Sequence, residues 1–147
     1  RRTDMSVTAL IVDDSRSIRE VIRRIIRISG LGSVHCIDAA NGKEGLEVLS
    51  RKKVDVVLTG VHMPEVGGLE MLAEMRKHAA FRDLPVVVVT SDAGLRCMKA
   101  AEDLHCGTFI RKPFYPEEIK RALVVTARLK ETAPDERVEA DTDTVDF

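Results

Sequence analysis

Aromatic side chains are scarce: the 147 residues hold no tryptophan, one tyrosine (Tyr115) and four phenylalanines. A flavin carrier would need aromatic stacking residues and a Ser/Thr/Gly-rich phosphate loop, so that class is disfavoured. Cysteine is sparse too. Cys36, Cys97 and Cys106 are odd in number and form no CxxC or Cys/His spacing, which excludes a zinc cluster and a disulfide framework. The expected state is reduced thiols in a cytoplasmic protein. His35, His62, His78 and His105 make no i, i+4 pair. No apolar run approaches the ~18 residues of a membrane span, and the polar opening Arg1–Ser6 does not read as a signal peptide. GxGxxG and GxxxxGK[ST] are both missing, so dinucleotide and nucleoside-triphosphate sites lack their phosphate loops. No Cys–His or Ser–His–Asp set fits a hydrolase. An excess of one charge is absent as well: 23 basic against 24 acidic residues leave −1, with no pointer to nucleic-acid binding.

That balance hides an asymmetry. Residues 131–147 carry seven acids (Glu131, Asp135, Glu136, Glu139, Asp141, Asp143, Asp146) and one base, Arg137, for a charge of −6. Residues 1–130 carry 22 bases and 17 acids, for +5. Val138, Val145 and Phe147 are the only large apolar residues of the acidic stretch. The expectation is a single folded unit over about 5–130, between a flexible start (1–4) and an acidic tail that stays solvated or docks on basic surface.

What the sequence does have is alternation. Val7–Val12 is a β-rich apolar run, and Asp13-Asp14-Ser15 closes it with N-cap chemistry. Ile18, Val21, Ile22, Ile25 and Ile26 then share one helical face, and Gly30-Leu31-Gly32 ends it. Further strands are expected at Val34–Ile37, Val54–Thr59, Pro85–Thr90 and Thr108–Arg111. Helices are expected at about 43–51 (Leu46 and Leu49 inward), after Gly67-Gly68 (Leu69, Leu72 and Met75 inward), at about 93–103, and from Pro116 to Lys130. Five strands alternating with five helices describe an α/β fold with a parallel sheet covered on both faces, and continuous valine runs fit strands buried on both sides. In open parallel sheets a site lies at the carboxyl ends of the strands. The residues there are Asp13 and Asp14, Gly60, Thr90 and Lys112. Two carboxylates suit a hard cation, while a hydroxyl and an ammonium suit phosphoryl oxygens. Each alone has a plainer explanation: a helix cap, a strand threonine, a solvated lysine. Their convergence favours a site.

Four segments carry a family resemblance: Leu10-Ile-Val-Asp-Asp-Ser15, His62-Met-Pro64 with Gly67-Gly68-Leu69-Glu70, Val87-Val-Val-Thr90-Ser91, and Gly107-Thr-Phe-Ile-Arg-Lys112-Pro113-Phe114. Over about residues 5–130 the chain resembles the receiver domain of response regulators in two-component signalling, of the flavodoxin-like chemotaxis type. The resemblance implies strand order 2-1-3-4-5 and phosphotransfer from a histidine kinase to an aspartate with Mg²⁺. It implies Mg²⁺ ligands at Asp13, Asp14 and the backbone carbonyl of His62, roles in the phosphoryl chemistry for Thr90 and Lys112, and a switch pair of Thr90 and Phe109. It further implies a cis Lys112–Pro113 bond and contact with a kinase or effector through the fourth helix, fifth strand and fifth helix. Such a module is not an enzyme.

One position departs from the pattern. The acceptor aspartate should end the third strand three residues before Met63-Pro64, and Gly60 stands there. Glycine cannot take a phosphoryl group or give a carboxylate to a metal. Asp13, Asp14 and Lys112 sum to −1 where a third aspartate would make −2, so Mg²⁺ should bind more weakly and Lys112 should lean on Asp13 or Asp14. No replacement acceptor offers itself, because strand alternation turns Thr59 away, Asp55 lies toward the other end of its strand and Asp92 belongs to the loop after the fourth. Two accounts of Gly60 stay open: a receiver working as a binding module without phosphorylation, or an altered form of an ordinary one. A third use of the chain, as an adaptor or dimerisation module, would rest on the first helix with Arg16, Arg19, Arg23, Arg24 and Arg27, for which a solvated face is the plainer reading.

Overall fold

A computed structural model describes residues 6–130; the expectations for residues 1–4 and 131–147 lie outside these. The elements follow one another as β1 (Val7–Val12), α1 (Arg16–Ile28), β2 (Val34–Ala39), α2 (Gly42–Arg51), β3 (Val56–Thr59), α3 (Gly68–Arg76), a 3₁₀ turn (Ala79–Phe81), β4 (Val86–Thr90), α4 (Leu95–Asp103), β5 (Thr108–Arg111) and α5 (Pro116–Thr126). The strands form one parallel sheet in the order β2-β1-β3-β4-β5, as the alternation and the resemblance imply.

Period-2 alternation divides the sheet's side chains between two cores. Ala9, Ile11, Val56, Leu58, Val87, Val89 and Ile110 face α1 and α5, where Ile22, Ile25, Ile26, Ile119 and Leu123 meet them. Leu10, Val12, Val57, Val86 and Val88 face the opposite layer, packing on Leu49, Met71, Leu72, Met75, Cys97 and Ala101. Strands buried on both sides have no polar face to show, so valine fills both phases.

The element ends depart from the pattern for local reasons. β2 runs to Ala39, two residues beyond Ile37, because register with β1 carries Asp38 and Ala39 along Ile11 and Val12. β3 begins at Val56, two residues after Val54: at Asp55 the amide still donates to the Thr8 carbonyl at 2.8 Å, but the Thr8 amide is taken by Asp55 Oδ2 at 2.8 Å. α4 begins at Leu95, since the Asp92 side chain turns the preceding loop by accepting from the Gly94 amide at 3.1 Å. α5 stops at Thr126, where Arg128 takes a φ of 58° as chains leaving helices commonly do. In α3 the buried stripe is Gly68, Met71, Leu72 and Met75, and Leu69 is only half-buried. Leu46 of α2 is likewise half-buried, because Gly45 brings that helix against the Met71 sulfur and Val12. Gly68 is sterically required: a Cβ there would overlap the Gly60 carbonyl oxygen, so only glycine lets α3 start this close to the end of β3.

Candidate functional site

The carboxyl ends of β1, β3, β4 and β5 converge as sheet topology demands. Register places Val12 beside Thr59, and Thr90 beside Arg111. Residues just beyond the strands therefore share one crevice. The Gly60 amide donates to the Val12 carbonyl at 2.8 Å, and the Lys112 amide donates to the Thr90 carbonyl at 2.8 Å.

Asp13 is the centre of this arrangement and is 2% exposed. Its Oδ1 accepts from the Ser15 amide at 2.9 Å, the turn that hands the chain to α1, where the Ser15 side chain caps the Ile18 amide. Its Oδ2 accepts from Lys112 Nζ at 2.9 Å. The lysine thus leans on Asp13, as the missing third carboxylate leads one to expect. The backbone carbonyl of Asp13 accepts from Arg19 Nη1 at 2.7 Å, so the turn is held from both sides. Asp14, by contrast, is exposed.

Gly60 is buried, and its φ lies outside the left-handed region, so its backbone does not demand glycine. A Cβ at this position would lie 3.0 Å from Asp13 Oδ2 and 3.8 Å from the Val89 carbonyl oxygen. The Asp13 carboxylate thus borders the space into which a side chain at residue 60 would project, and Lys112 holds that carboxylate from its other side. Thr59, buried, donates its hydroxyl to the Gly60 carbonyl at 2.8 Å and is spent on the backbone.

Thr90 is buried at the end of β4, and its Oγ1 accepts from the Asp92 amide at 3.0 Å. Phe109 is half-buried and packs on the core layer beneath α3 and α4, an inward position. The Lys112–Pro113 bond is cis, as the Lys-Pro resemblance implies.

One contact was not legible beforehand. The sequence directs attention to His62 only for its backbone carbonyl and sets Asp92 aside as a loop residue. In the structure His62 Nε2 and Asp92 Oδ2 pair at 2.6 Å, tying the β3–α3 loop to the β4–α4 loop across the mouth of the crevice. The hydrogen bond from His62, and then the one from the Gly94 amide, hold the Asp92 carboxyl below the usual aspartate range. Residues 30 positions apart in two irregular loops carry no sequence pattern that would have paired them.

A hard cation needs several oxygen ligands. Here both Asp13 oxygens are engaged, by an amide and an ammonium, Asp14 stands exposed, and residue 60 offers no carboxylate. Among the described residues no group of three His, Cys, Asp or Glu side chains is placed to hold a metal ion. This donor set does not fit a three-carboxylate metal centre.

A profile of the response regulator receiver domain matches residues 9–124. The chain belongs to the response regulator receiver family. It is 31% identical over 115 residues to a chemotaxis protein CheY homolog of Campylobacter jejuni, covering 78% of this chain and 87% of that protein. To the response regulator MprA of a Mycobacterium species it is 34% identical over 132 residues, 90% of this chain and 54% of MprA. Among solved structures, chemotaxis protein CheY4 of Vibrio cholerae superposes with a TM-score of 0.73 at 25% identity, over 80% of this chain and 96% of that one. The protein is therefore a receiver domain of two-component signalling, with the flavodoxin-like order that the resemblance implied. Receiver domains are signalling modules that meet histidine kinases and effectors. No helix among the described residues is long and apolar enough to cross a membrane.

Proposed function

We propose that this receiver signals as a phosphorylation-independent, cytoplasmic protein-binding module. The observation that carries this is the composition of the crevice: residue 60 has no side chain to phosphorylate, and the Asp13–Lys112 pair fills the place beside it. Lys112, in contact with a carboxylate, is not waiting for a phosphoryl oxygen. Without a third carboxylate, Mg²⁺ binds more weakly than in a receiver that has one. Asp13, Asp14 and the His62 carbonyl are the donors that remain, with Thr90 and Lys112 left as structural relics of phosphoryl chemistry.

The partner, a histidine kinase or a downstream effector, meets the surface of α4, β5 and α5. Exposed large apolar side chains there support this reading: Leu95 and Met98 on α4, Val125 on α5, and Tyr115 immediately before α5. Such side chains in water favour a protein partner.

Incubation with acetyl phosphate and Mg²⁺, followed by intact-mass spectrometry, tests the proposal. The expected result is an unchanged mass. A stoichiometric, acid-stable and base-labile gain of one phosphoryl group would overturn it. A second reading, an ordinary receiver altered at one position, is favoured by the backbone of Gly60, which any L-residue can adopt. Gly60→Asp separates the two: phosphorylation accompanied by a change in partner binding marks an otherwise ordinary receiver.

A further inference from the structure

The large apolar side chains that the described residues leave exposed all gather on one flank of the sheet: Leu95 and Met98 on α4, Val125 on α5, and Tyr115 just before α5. β5, the last strand, lies between the layers to which these two helices belong. Along it runs a groove of about 250 Å³, walled by Thr108, Phe109 and Ile110 of β5 and by Arg121, Ala122 and Val125 of α5. The flank also carries unpaired charge. Arg96 on α4, Arg111 on β5, Arg121 on α5 and Arg128 just beyond α5 are exposed, and none of these guanidinium groups has a hydrogen bond or ion pair among the described residues. Of the acids on these elements, Glu118 lines the groove, but its Oε2 accepts from the Tyr115 amide at 2.7 Å. Asp103 pairs with Lys99 at 3.5 Å, Glu117 lies toward α1 beside Ile25 and Ile28, and Glu102 stands at the far end of α4.

The chain itself supplies a segment of matching chemistry. Residues 131–147 carry −6 and three large apolar side chains, Val138, Val145 and Phe147. They follow α5 closely, and the groove ends where α5 ends: the Thr108 and Thr126 hydroxyls pair there, and the Leu129 amide donates back to the Leu123 carbonyl at 3.2 Å. The segment therefore starts beside the groove. Reach is ample, since 17 extended residues span at most about 60 Å, whereas α5 is about 16 Å long.

We propose that the acidic segment 131–147 docks in cis on the α4–β5–α5 flank. Its carboxylates meet Arg96, Arg111, Arg121 and Arg128, and a valine or the phenylalanine covers the β5–α5 groove. Charges at an exposed surface are screened within about 8 Å at physiological ionic strength. The contact is therefore salt-sensitive, and being intramolecular it does not depend on protein concentration. The docked segment lies over the surface on which a kinase or effector is proposed to meet this receiver. That consequence, a face closed to partners until the segment leaves, rests on the proposed partner surface; the docking itself does not.

The test uses the full 147-residue chain, with two-dimensional amide NMR as the readout. Exchanging the seven acids of 131–147 for their amides is expected to shift the amides of residues 95–98, 108–111 and 118–125. Raising NaCl from about 50 to about 500 mM should move the same wild-type amides in the same direction, because the screening length falls about threefold. Arg111→Gln combined with Arg121→Gln, both at exposed and unpaired positions, should shift amides of residues 131–147 and weaken the salt response at least about twofold. Should the amide-substituted chain not fold, the salt titration and the arginine variant decide alone. Three results overturn the docking: changes confined to residues 127–130, changes on another face in place of this flank, or shifts that grow with protein concentration, which would mark a second copy. Each of these leaves the proposed partner surface standing. A kinase or effector mapped to another face would overturn that surface and leave the intramolecular shifts in place.

Discussion

Replacing Lys112 with methionine removes the ammonium from a carboxylate that has almost no contact with water. Asp13 is 2% exposed and its Oδ2 lies 2.9 Å from Nζ. At that separation and an effective dielectric of 20, the gross attraction is about 6 kcal/mol, much of it offset by desolvation of the two ions. Removing one partner of a fully buried pair costs about 3–5 kcal/mol. The Lys112 side chain keeps 23% of its surface in water, and Asp13 keeps the Ser15 amide. Water can follow the vacated stem, so the expected loss is smaller, about 2–3 kcal/mol. With a urea m-value of about 2 kcal/mol/M for a domain of this size, the midpoint should fall by about 1–1.5 M. Asp13→Asn alone should cost less, about 1 kcal/mol, because the half-wet ammonium can turn to solvent. The double variant should lose about 1.5 kcal/mol less than the sum of the two single losses, since neither charge is then left unpaired. A Lys112→Met loss below about 0.5 kcal/mol, or strictly additive singles, would refute the reasoning. Lys112 would then be free, and the crevice open to an anion.

Three further outcomes follow from the same geometry. Gly68→Ala places a methyl on the Gly60 carbonyl oxygen and should destabilise by about 3 kcal/mol or prevent folding. Gly94→Ala, which meets only the Asp92 carboxylate at 3.3 Å, is the control, and circular dichroism melts compare the two. The Asp92 carboxyl should titrate below 3.8 because it accepts from His62 and from the Gly94 amide; carboxyl ¹³C NMR should show His62→Leu moving it upward. The sign is that of a depressed acid: the His62–Asp92 tie contributes above the ordinary aspartate pKa and is lost as pH falls through the lowered one. Gly60→Asp sets a Cβ 3.0 Å from Asp13 Oδ2, so without Mg²⁺ the crowded carboxylates should hold its melting temperature at or below wild type. Millimolar Mg²⁺ should raise that temperature and leave the wild-type value nearly unmoved, which differential scanning fluorimetry can read.

Much of this was legible in the order of residues. The apolar runs at 7–12, 54–59 and 85–90 announce strands buried on both faces, because neither phase of the alternation is consistently polar. The open-sheet rule then brings Asp13, Gly60, Thr90 and Lys112 to one crevice before any coordinates are known. Even the lean of Lys112 on an aspartate, across 99 positions, follows from charge arithmetic once residue 60 is glycine. Edge strand β2 extends two residues past its apolar signal, since His35 and Asp38 dilute that signal and only pairing with β1 carries the strand to Ala39. α5 ends four residues before Lys130, the end that its sequence suggests because nothing local at Ala127–Lys130 forbids helix.

Periodicity along the chain carries the α/β layering and the burial of the sheet on both faces, because neither phase of the central strands is polar. The tertiary structure alone decided which of the two aspartates is buried and paired, Asp13 and not Asp14. It alone decided that His62 meets Asp92 and that Gly68 must be glycine because the Gly60 carbonyl lies beneath it. These are contacts between distant loops and helix ends. Their geometry depends on how the layers settle against one another, and no local pattern along the chain encodes it.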